Sequence, residues 1–302
     1  MEKKLLTVFT PTYNRAHTLV RTYESMCRQT SDDFNWLIID DGSTDNTEEV
    51  VKEWVKENKI PIQYIKKENG GLFTGYNTAI ANCNTELNVC VDSDDWMPDN
   101  AVEIIKEEWN KVKNPDIAGI IGLDYYPSGN PIGGMFSKEC NCYYFEKFYK
   151  VGHLCDYKIV CRTDLMKEIY PMPSFGEKSF NPVWYYINIG ERYKFKLINK
   201  CLCIVDYQSD GMMAGIFRQY QNSPKSFAES RRVIMKSKFI PFRIKYRQAI
   251  HYISSSIFSK DKKFLFNSPK PILTFFAIPP GILLHFYILW KLKQQKKKKF
   301  LV

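Results

Sequence analysis

Leu87-Asn88-Val89-Cys90-Val91-Asp92-Ser93-Asp94-Asp95 is the stretch that decides how this chain is read. A short β-prone run ends abruptly in an acidic Asp-x-Asp triplet. In that arrangement a buried strand carries two carboxylates to the mouth of a sheet, where hard oxygens can hold a divalent cation. A turn at Ser93 would converge Asp92 and Asp94. An acidic triplet by itself is more often a solvated turn, so its meaning rests on its neighbours.

Upstream, residues 5–10 form an apolar run halted by Pro11. A polar loop, Pro11-Thr12-Tyr13-Asn14-Arg15, then precedes a helical stretch over 17–28. Residues 34–39 form a second strand running into Asp40-Asp41-Gly42-Ser43-Thr44-Asp45, followed by helical spacing of Val50, Val51, Trp54 and Val55. A third strand over 60–65 ends at Lys66-Lys67-Glu68-Asn69-Gly70-Gly71, and 72–83 reads as a helix leading into the acidic strand. Strands alternating with helices predict an α/β fold with a mostly parallel sheet. Ligands of such sheets sit beyond the carboxyl ends of the strands. Every polar signature falls at such an end. Thr10, Tyr13, Asn14 and Arg15 supply hydroxyl, amide and cationic groups, Asp40 and Asp41 supply acceptors, and Gly70-Gly71 permits close backbone approach. A nucleotide diphosphate with its metal would satisfy all of them.

These residues resemble the family 2 glycosyltransferases with the GT-A, Rossmann-like fold. The resemblance lies in Val8-Phe9-Thr10-Pro11-Thr12-Tyr13-Asn14-Arg15, Ile39 to Thr47, Asn69-Gly70-Gly71 through Ala79, and Val91 to Asp95. It implies an inverting, sugar-nucleotide-dependent transferase using Mn2+ or Mg2+. Carried over by position, Thr10, Pro11, Tyr13 and Arg15 would line the nucleotide pocket. Asp41, with Asp40 beside it, would bind the uracil end, and Gly70 and Gly71 would lie close to the nucleotide. Asp92, Ser93 and Asp94 would handle ribose, sugar and metal, Asp92 and Asp94 being the metal ligands. Many relatives carry Ala-Arg-Asn after the Gly-rich turn, whereas this chain has Gly75-Tyr76-Asn77, so Lys67 is the candidate substitute charge.

Residues 99–113 read as a helix, 117–123 as a strand, and 124–150 as an aromatic, glycine-bearing loop suited to acceptor recognition. Inverting transfer needs a carboxylate to take the acceptor hydroxyl's proton. Phe175-Gly176-Glu177-Lys178-Ser179-Phe180 is similar to the Gly-Glu-Lys-Phe stretch of bacterial polysaccharide enzymes of the family, which makes Glu177 the candidate base. A carboxylate at a helix N-terminus is its alternative reading. Asp156 is the second candidate, and Asp95, His153 and Arg218 are further candidates for donor-sugar or acceptor contacts. Residues 193–207 read as two strands with a hairpin turn at Asn199-Lys200, and Ser209-Asp210-Gly211 resembles the Asp-Gly-Leu-Thr loop of the same subgroup.

A 302-residue chain with 44% hydrophobic and 25% charged residues is globular, with room for one sizeable core and a smaller appended unit. Its net charge of +10 comes largely from Lys291, Lys293 and Lys296 to Lys299. Nine cysteines lack a Cys-x-x-Cys and lie mostly in apolar runs, so reduced, buried thiols of a cytoplasmic protein are expected. The N-terminus reads as having no signal peptide. Residues 271–290 are strongly apolar but interrupted by Pro279-Pro280-Gly281, which predicts two short pieces lying in a membrane surface, the lysines meeting anionic lipid. No matching groove suggests nucleic acid.

The expected organisation is a glycosyltransferase domain over 1–222, with a nucleotide-binding half to 125 and an acceptor half from 126, then a basic helical extension over 223–302 that associates with a membrane. The expected partners are a UDP-sugar donor, a glycan or lipid-linked acceptor, the inner face of the cell membrane and a second copy in a homo-oligomer. A catalytically inactive sugar-nucleotide-binding or scaffold subunit of a polysaccharide assembly complex is the alternative. A nucleotidyltransferase ranks last for want of a Gly-rich basic loop near the N-terminus.

Overall fold

Strand β1 (Leu6–Thr12) is buried along its whole length, and its neighbours on both sides run parallel to it. That pairing sets the first half of the molecule, which follows as α1 (Ala16–Cys27), β2 (Phe34–Asp40), α2 (Thr47–Glu57), β3 (Ile62–Lys66), α3 (Leu72–Asn82), β4 (Leu87–Cys90) and α4 (Ala101–Val112). There follow β5 (Ile117–Tyr125), β6 (Asn141–Tyr143), β7 (Tyr157–Arg162), α5 (Thr163–Glu168), α6 (Val183–Ile189) and β8 (Lys194–Ile204). This computed structural model describes residues 3–146, 156–208 and 215–299, with side chains to residue 295.

The eight strands form one sheet in the order β3-β2-β1-β4-β7-β5-β8-β6. The first four are parallel, with Thr12 opposite Asp40 and Asp40 opposite Lys66, so their carboxyl ends share one edge. Strand β7 is antiparallel to both β4 and β5, and β8 is parallel to β5. The expected mostly parallel sheet flanked by helices is what the chain adopts. Amphipathic helices bury their apolar stripe on it: Tyr23 of α1 stacks on Trp54 of α2 at 4.3 Å, with Trp36 of β2 beside both. Among the described residues eight cysteines are free thiols, five of them buried.

The expected hairpin at Asn199-Lys200 is not formed. Strand β8 runs straight through, and the extra residues are taken up by a shift in its register against β5 between Ile121 and Leu123. Asn199 supplies the reason. Its amide accepts from Phe136 N at 2.8 Å and donates to Phe136 O at 2.9 Å, while its own N–H reaches Glu139 Oε1. A bulge is held there by side-chain bonds where a turn was expected.

The chain divides into two units, Met1–Met172 with Asn188–Gln208, and Pro173–Ile187 with Ser209–Val302. The boundary expected at residue 222 therefore shifts: the stretch bearing Glu177 joins the helical unit. Local bonds explain this, since Ser179 N donates to Ser223 Oγ and Glu177 accepts from Lys225 N and Ser226 N.

The helical unit continues with α7 (Ile216–Asn222), α8 (Pro224–Lys236), α9 (Phe242–Phe258), α10 (Phe264–Asn267), α11 (Pro271–Phe276) and α12 (Ile278–Lys299). Its small core joins Met235, Ala249, Tyr252, Ile253 and Ala277. Pro279 and Pro280 do not break the last helix. They lie in its first turn, where a missing N–H costs nothing, and the break falls before Ile278. Gly281 belongs there because a Cβ would lie 2.6 Å from Ile253 Cβ, so glycine lets α12 and α9 approach. Among the described residues no helix is long and apolar enough to cross a membrane.

His251 on α9 gives this unit a pH signature. Burial, with Arg231 and Arg247 nearby, pushes its imidazole down to about 4. The unfolded chain thus binds a proton near pH 6.5 that the folded state refuses, so its contribution is whole above about 6.5 and is lost as pH falls towards about 4. His251→Phe is expected to remove about 2–3 kcal/mol of acid sensitivity across that window, read by urea melts of both proteins at pH 7 and pH 4.5.

Candidate active site

At the carboxyl edge of β1 and β2 the two exit loops are locked to one another. Asn14, in the left-handed region at φ 52°, accepts from Thr44 N at 2.8 Å through Oδ1, and its own N–H donates to Ser43 Oγ at 2.9 Å. Asp45 accepts from Ala16 N, so it tethers the start of α1. Tyr13 stands exposed on this rim with Arg15 half-buried beside it.

Asp41 is the hub of the next layer. It is 5% exposed, and Gly70 N and Gly71 N donate to its two oxygens at 3.0 and 2.8 Å. Gly71 has φ +90°, a conformation open to glycine, and successive amides in such a turn form an anion-binding nest. Lys67 Nζ donates to Asp41 Oδ1, to Thr74 Oγ1 and to Glu68 O. A carboxylate has about four lone-pair sites, and this pattern leaves one open on Oδ2. Lys67, the candidate substitute charge, has all three of its protons engaged inside the turn.

Three more of the expected nucleotide contacts, Thr10, Asp40 and Pro11, have side chains buried in the scaffold. Thr10 is fully buried and accepts from Trp36 Nε1 at 2.9 Å. Asp40 is fully buried, with Ser43 N on one oxygen and Tyr64 O–H on the other. It shapes the turn that presents Asp41. Pro11 is buried against α3, where a Cβ on Gly75 would sit 3.1 Å from its ring. The departure at Gly75-Tyr76-Asn77 is thereby explained: glycine admits Pro11, Tyr76 packs edge-on to Phe9 at 4.9 Å, and Asn77 exchanges two hydrogen bonds with Met172.

Beyond β4 the acidic residues form a turn closed by Asp95 N donating to Asp92 O at 3.0 Å. Asp92 is exposed, Asp94 half-buried, and Ser93 and Asp95 buried. Arg21 of α1 lies over the Trp96 ring at 4.1 Å, donates to Asp94 O at 2.7 Å and pairs with Asp206 at 2.9 Å. Burial raises the Asp94 carboxyl, and the neighbouring Asp92 adds to it. Two hard-oxygen donors on one turn, Asp92 disfavouring the charge of Asp94, suit a divalent cation. Among the described residues no group of three or more His, Cys, Asp or Glu could hold one alone, so the remaining ligands would have to come from substrate and water.

Beneath this turn lies a feature the motifs did not reveal. Lys158 of β7 is 8% exposed, with its Nζ 3.8 Å from Asp95 Oδ2. Burial works against its charge, but Cys203, Asp124, Asp95 and Asp92 outweigh that and hold it well above the usual lysine range. Asp124 of β5, almost fully buried, is pushed up to about 6 by burial, and its Oδ1 has no hydrogen-bond partner. The signal was present as one lysine inside the apolar strand Tyr157-Lys158-Ile159-Val160-Cys161.

Of the remaining candidates, Asp156 is exposed at the start of β7 and accepts from Tyr207 O–H at 2.6 Å. Glu177 and Arg218 line one groove of about 370 Å3 in the helical unit. Glu177 also caps α8, accepting from Lys225 N and Ser226 N at 3.1 and 2.8 Å. His153 and the loop at Asp210 lie outside the described residues.

The model of the family described as glycosyl transferase family 2 matches residues 7–167, more than half of the chain. The chain belongs to glycosyl transferase family 2. The resemblance read from the motifs is therefore borne out. The chain is 33% identical over 173 residues to the glycosyltransferase GlyA of Streptococcus pneumoniae, covering 57% of this chain and 24% of that protein. It also spans only 20 to 34% of the bacterial chondroitin and hyaluronan synthases it matches. In fold it is similar to S. aureus TarS 1–349 in complex with UDP-GlcNAc, at TM-score 0.62 and 16% identity over 92% of this chain and 80% of that one. It is likewise similar to mannosyltransferase PcManGT from Pyrobaculum calidifontis in complex with GDP-Man and Mn2+, at TM-score 0.56 and 16% identity, covering 94% and 74%.

In this family 2 chain Lys158 is the cation paired with buried Asp95 among the described ion pairs, and its charge also acts on buried Asp124. Lys158→Met is expected to cost about 3–5 kcal/mol, because it strands buried carboxylates, and adding Asp124→Asn should restore part of that. Chemical denaturation of the two single variants and the double variant measures the coupling.

Proposed function

We propose that this chain is an inverting, metal-dependent glycosyltransferase that moves a sugar from a UDP-linked donor to a hydroxyl of a lipid-linked or cell-surface glycan precursor. The observation that carries the reading is the meeting, at one sheet edge, of an acceptor-bearing amide nest at Asp41 with the carboxylate turn at Asp92 and Asp94. The relatives in complex with UDP-GlcNAc, GDP-Man and Mn2+ support it, and the match to chondroitin and hyaluronan synthases supports a polysaccharide product.

In this reading the free lone pair of Asp41 takes a base N–H, Tyr13 offers its ring and Arg15 its charge to the nucleotide, and Asp92 and Asp94 hold Mn2+ or Mg2+. The ion, when bound, offsets charge growing on the departing diphosphate. Glu177 takes the proton of the acceptor hydroxyl as that oxygen attacks the anomeric carbon from the face opposite the leaving group. Asp156 is placed to contact sugar hydroxyls through its exposed carboxylate. The helical unit holds the enzyme to the cytoplasmic face of a membrane, where such acceptors reside.

One observation favours the second reading, a sugar-nucleotide-binding subunit without turnover: both oxygens of Glu177 already accept helix amides. Purified protein is expected to gain melting temperature with UDP-sugar plus Mn2+ and to hydrolyse the donor slowly. Asp94→Ala should abolish both the Mn2+-dependent shift and the hydrolysis. Glu177→Gln should keep the nucleotide shift while losing about 10²–10⁴-fold in turnover. Full turnover with only about 1 kcal/mol of lost stability would make Glu177 a helix cap and no base.

A further inference from the structure

The helical unit presents an apolar face that its own core leaves uncovered. Phe242 is 73% exposed, Ile272 78%, Phe276 66%, Leu283 70%, Phe286 62% and Trp290 51%. Phe242, Ile272 and Phe276 line one groove, and exposed apolar side chains gathered in this way on a folded unit mark an interaction site. Two apolar grooves open among the helices of this unit. One, of about 700 Å3, runs between the start of α9 and α11, lined by Phe242, Tyr246, Ile272, Leu273 and Phe276 with Lys270 in its wall. The other, of about 420 Å3, is bounded by Ile257, Phe264 and Ile282, with Lys260 and Lys262 in its wall.

Charge decides what fits. Residues 236–295 contain eleven Lys and Arg against a single acid, Asp261. Lys260, Lys262, Lys263 and Lys270 are all exposed, and Lys291 lies over the rings of Tyr287 and Trp290 at 5.5 and 5.2 Å. Aromatic rings beside cations are the composition of a helix resting at a headgroup boundary. No described helix is able to cross a bilayer, so the face would lie along the surface.

Resting on the membrane-side reading of this unit, we infer that the face docks on an anionic phospholipid bilayer, acyl chains entering the two grooves while Lys260, Lys262 and Lys270 meet lipid phosphates. The polar remainder of the chain stays in water, and the attachment is reversible and salt-sensitive, because surface charge attraction is screened by ions.

Flotation of the full chain with phosphatidylcholine vesicles, with and without phosphatidylglycerol, tests this. Binding should rise roughly 10-fold or more with phosphatidylglycerol and fall again in high salt. Phe242→Ser with Phe276→Ser, both exposed, should weaken binding at every salt concentration, and Lys260→Glu with Lys262→Glu and Lys270→Glu should remove only the lipid-charge preference. Equal binding to both vesicles, or binding unchanged in both variants, overturns the inference. So does a dimer in light scattering that the phenylalanine variant dissociates, since a second copy would then cover the face. Asp94→Ala should float like wild type, which separates a failure of this inference from a failure of the glycosyltransferase reading.

Discussion

The parallel pairing of β1 with both β2 and β4 is the constraint from which the site follows. Parallel neighbours must exit at the same end, so the loops that leave β1, β2 and β4 meet at one edge whatever their length. A register slip of one residue would move every side chain of a strand to the opposite face. The observed register of β1 against β2 and β4 fixes where Asp41 and Asp92 emerge.

Several motif residues serve this scaffold rather than the edge itself. Thr10 holds Trp36, Asp40 closes the turn before Ser43, and Lys67 completes the shell around Asp41. The motif is thus two layers thick, an inner row that sets the loops and an outer row of Tyr13, Arg15, Asp92 and Asp94 that faces solvent at least in part. Residue type alone does not separate the layers, because a buried Asp bonded to two donors and an exposed Asp at the sheet edge are the same letter.

Local periodicity made most elements of the first half legible within a residue or two, because apolar alternation and Gly or Pro punctuation report burial directly. What escaped depended on distant partners. Asn199-Lys200 looks like a turn until Phe136 and Glu139 arrive to hold it in a bulge. Pro279-Pro280-Gly281 looks like a break until the prolines are seen in a first helical turn, with Gly281 against Ile253. Lys158 is ordinary until β7 slots between β4 and β5 and brings Asp95 and Asp124 to it. The Glu177 capping bonds belong to the same class, being made to amides nearly fifty residues on.

The acidic turn shows how burial and chemistry are reconciled within four residues. Arg21 and Thr22 hold it through the carbonyls of Asp94 and Asp95, not through their carboxylates. Backbone anchoring fixes the turn while Asp92 and Asp94 keep side-chain oxygens to offer a ligand. Burial then grades the three carboxylates, from exposed Asp92 through half-buried Asp94 to buried Asp95. Deep burial disfavours charge on Asp95, and the Lys158 ammonium below opposes that effect. Charge is therefore balanced in the lower row by a fixed cation and left in excess in the upper row, and an excess of that sign at a sheet edge is what a bound cation can relieve.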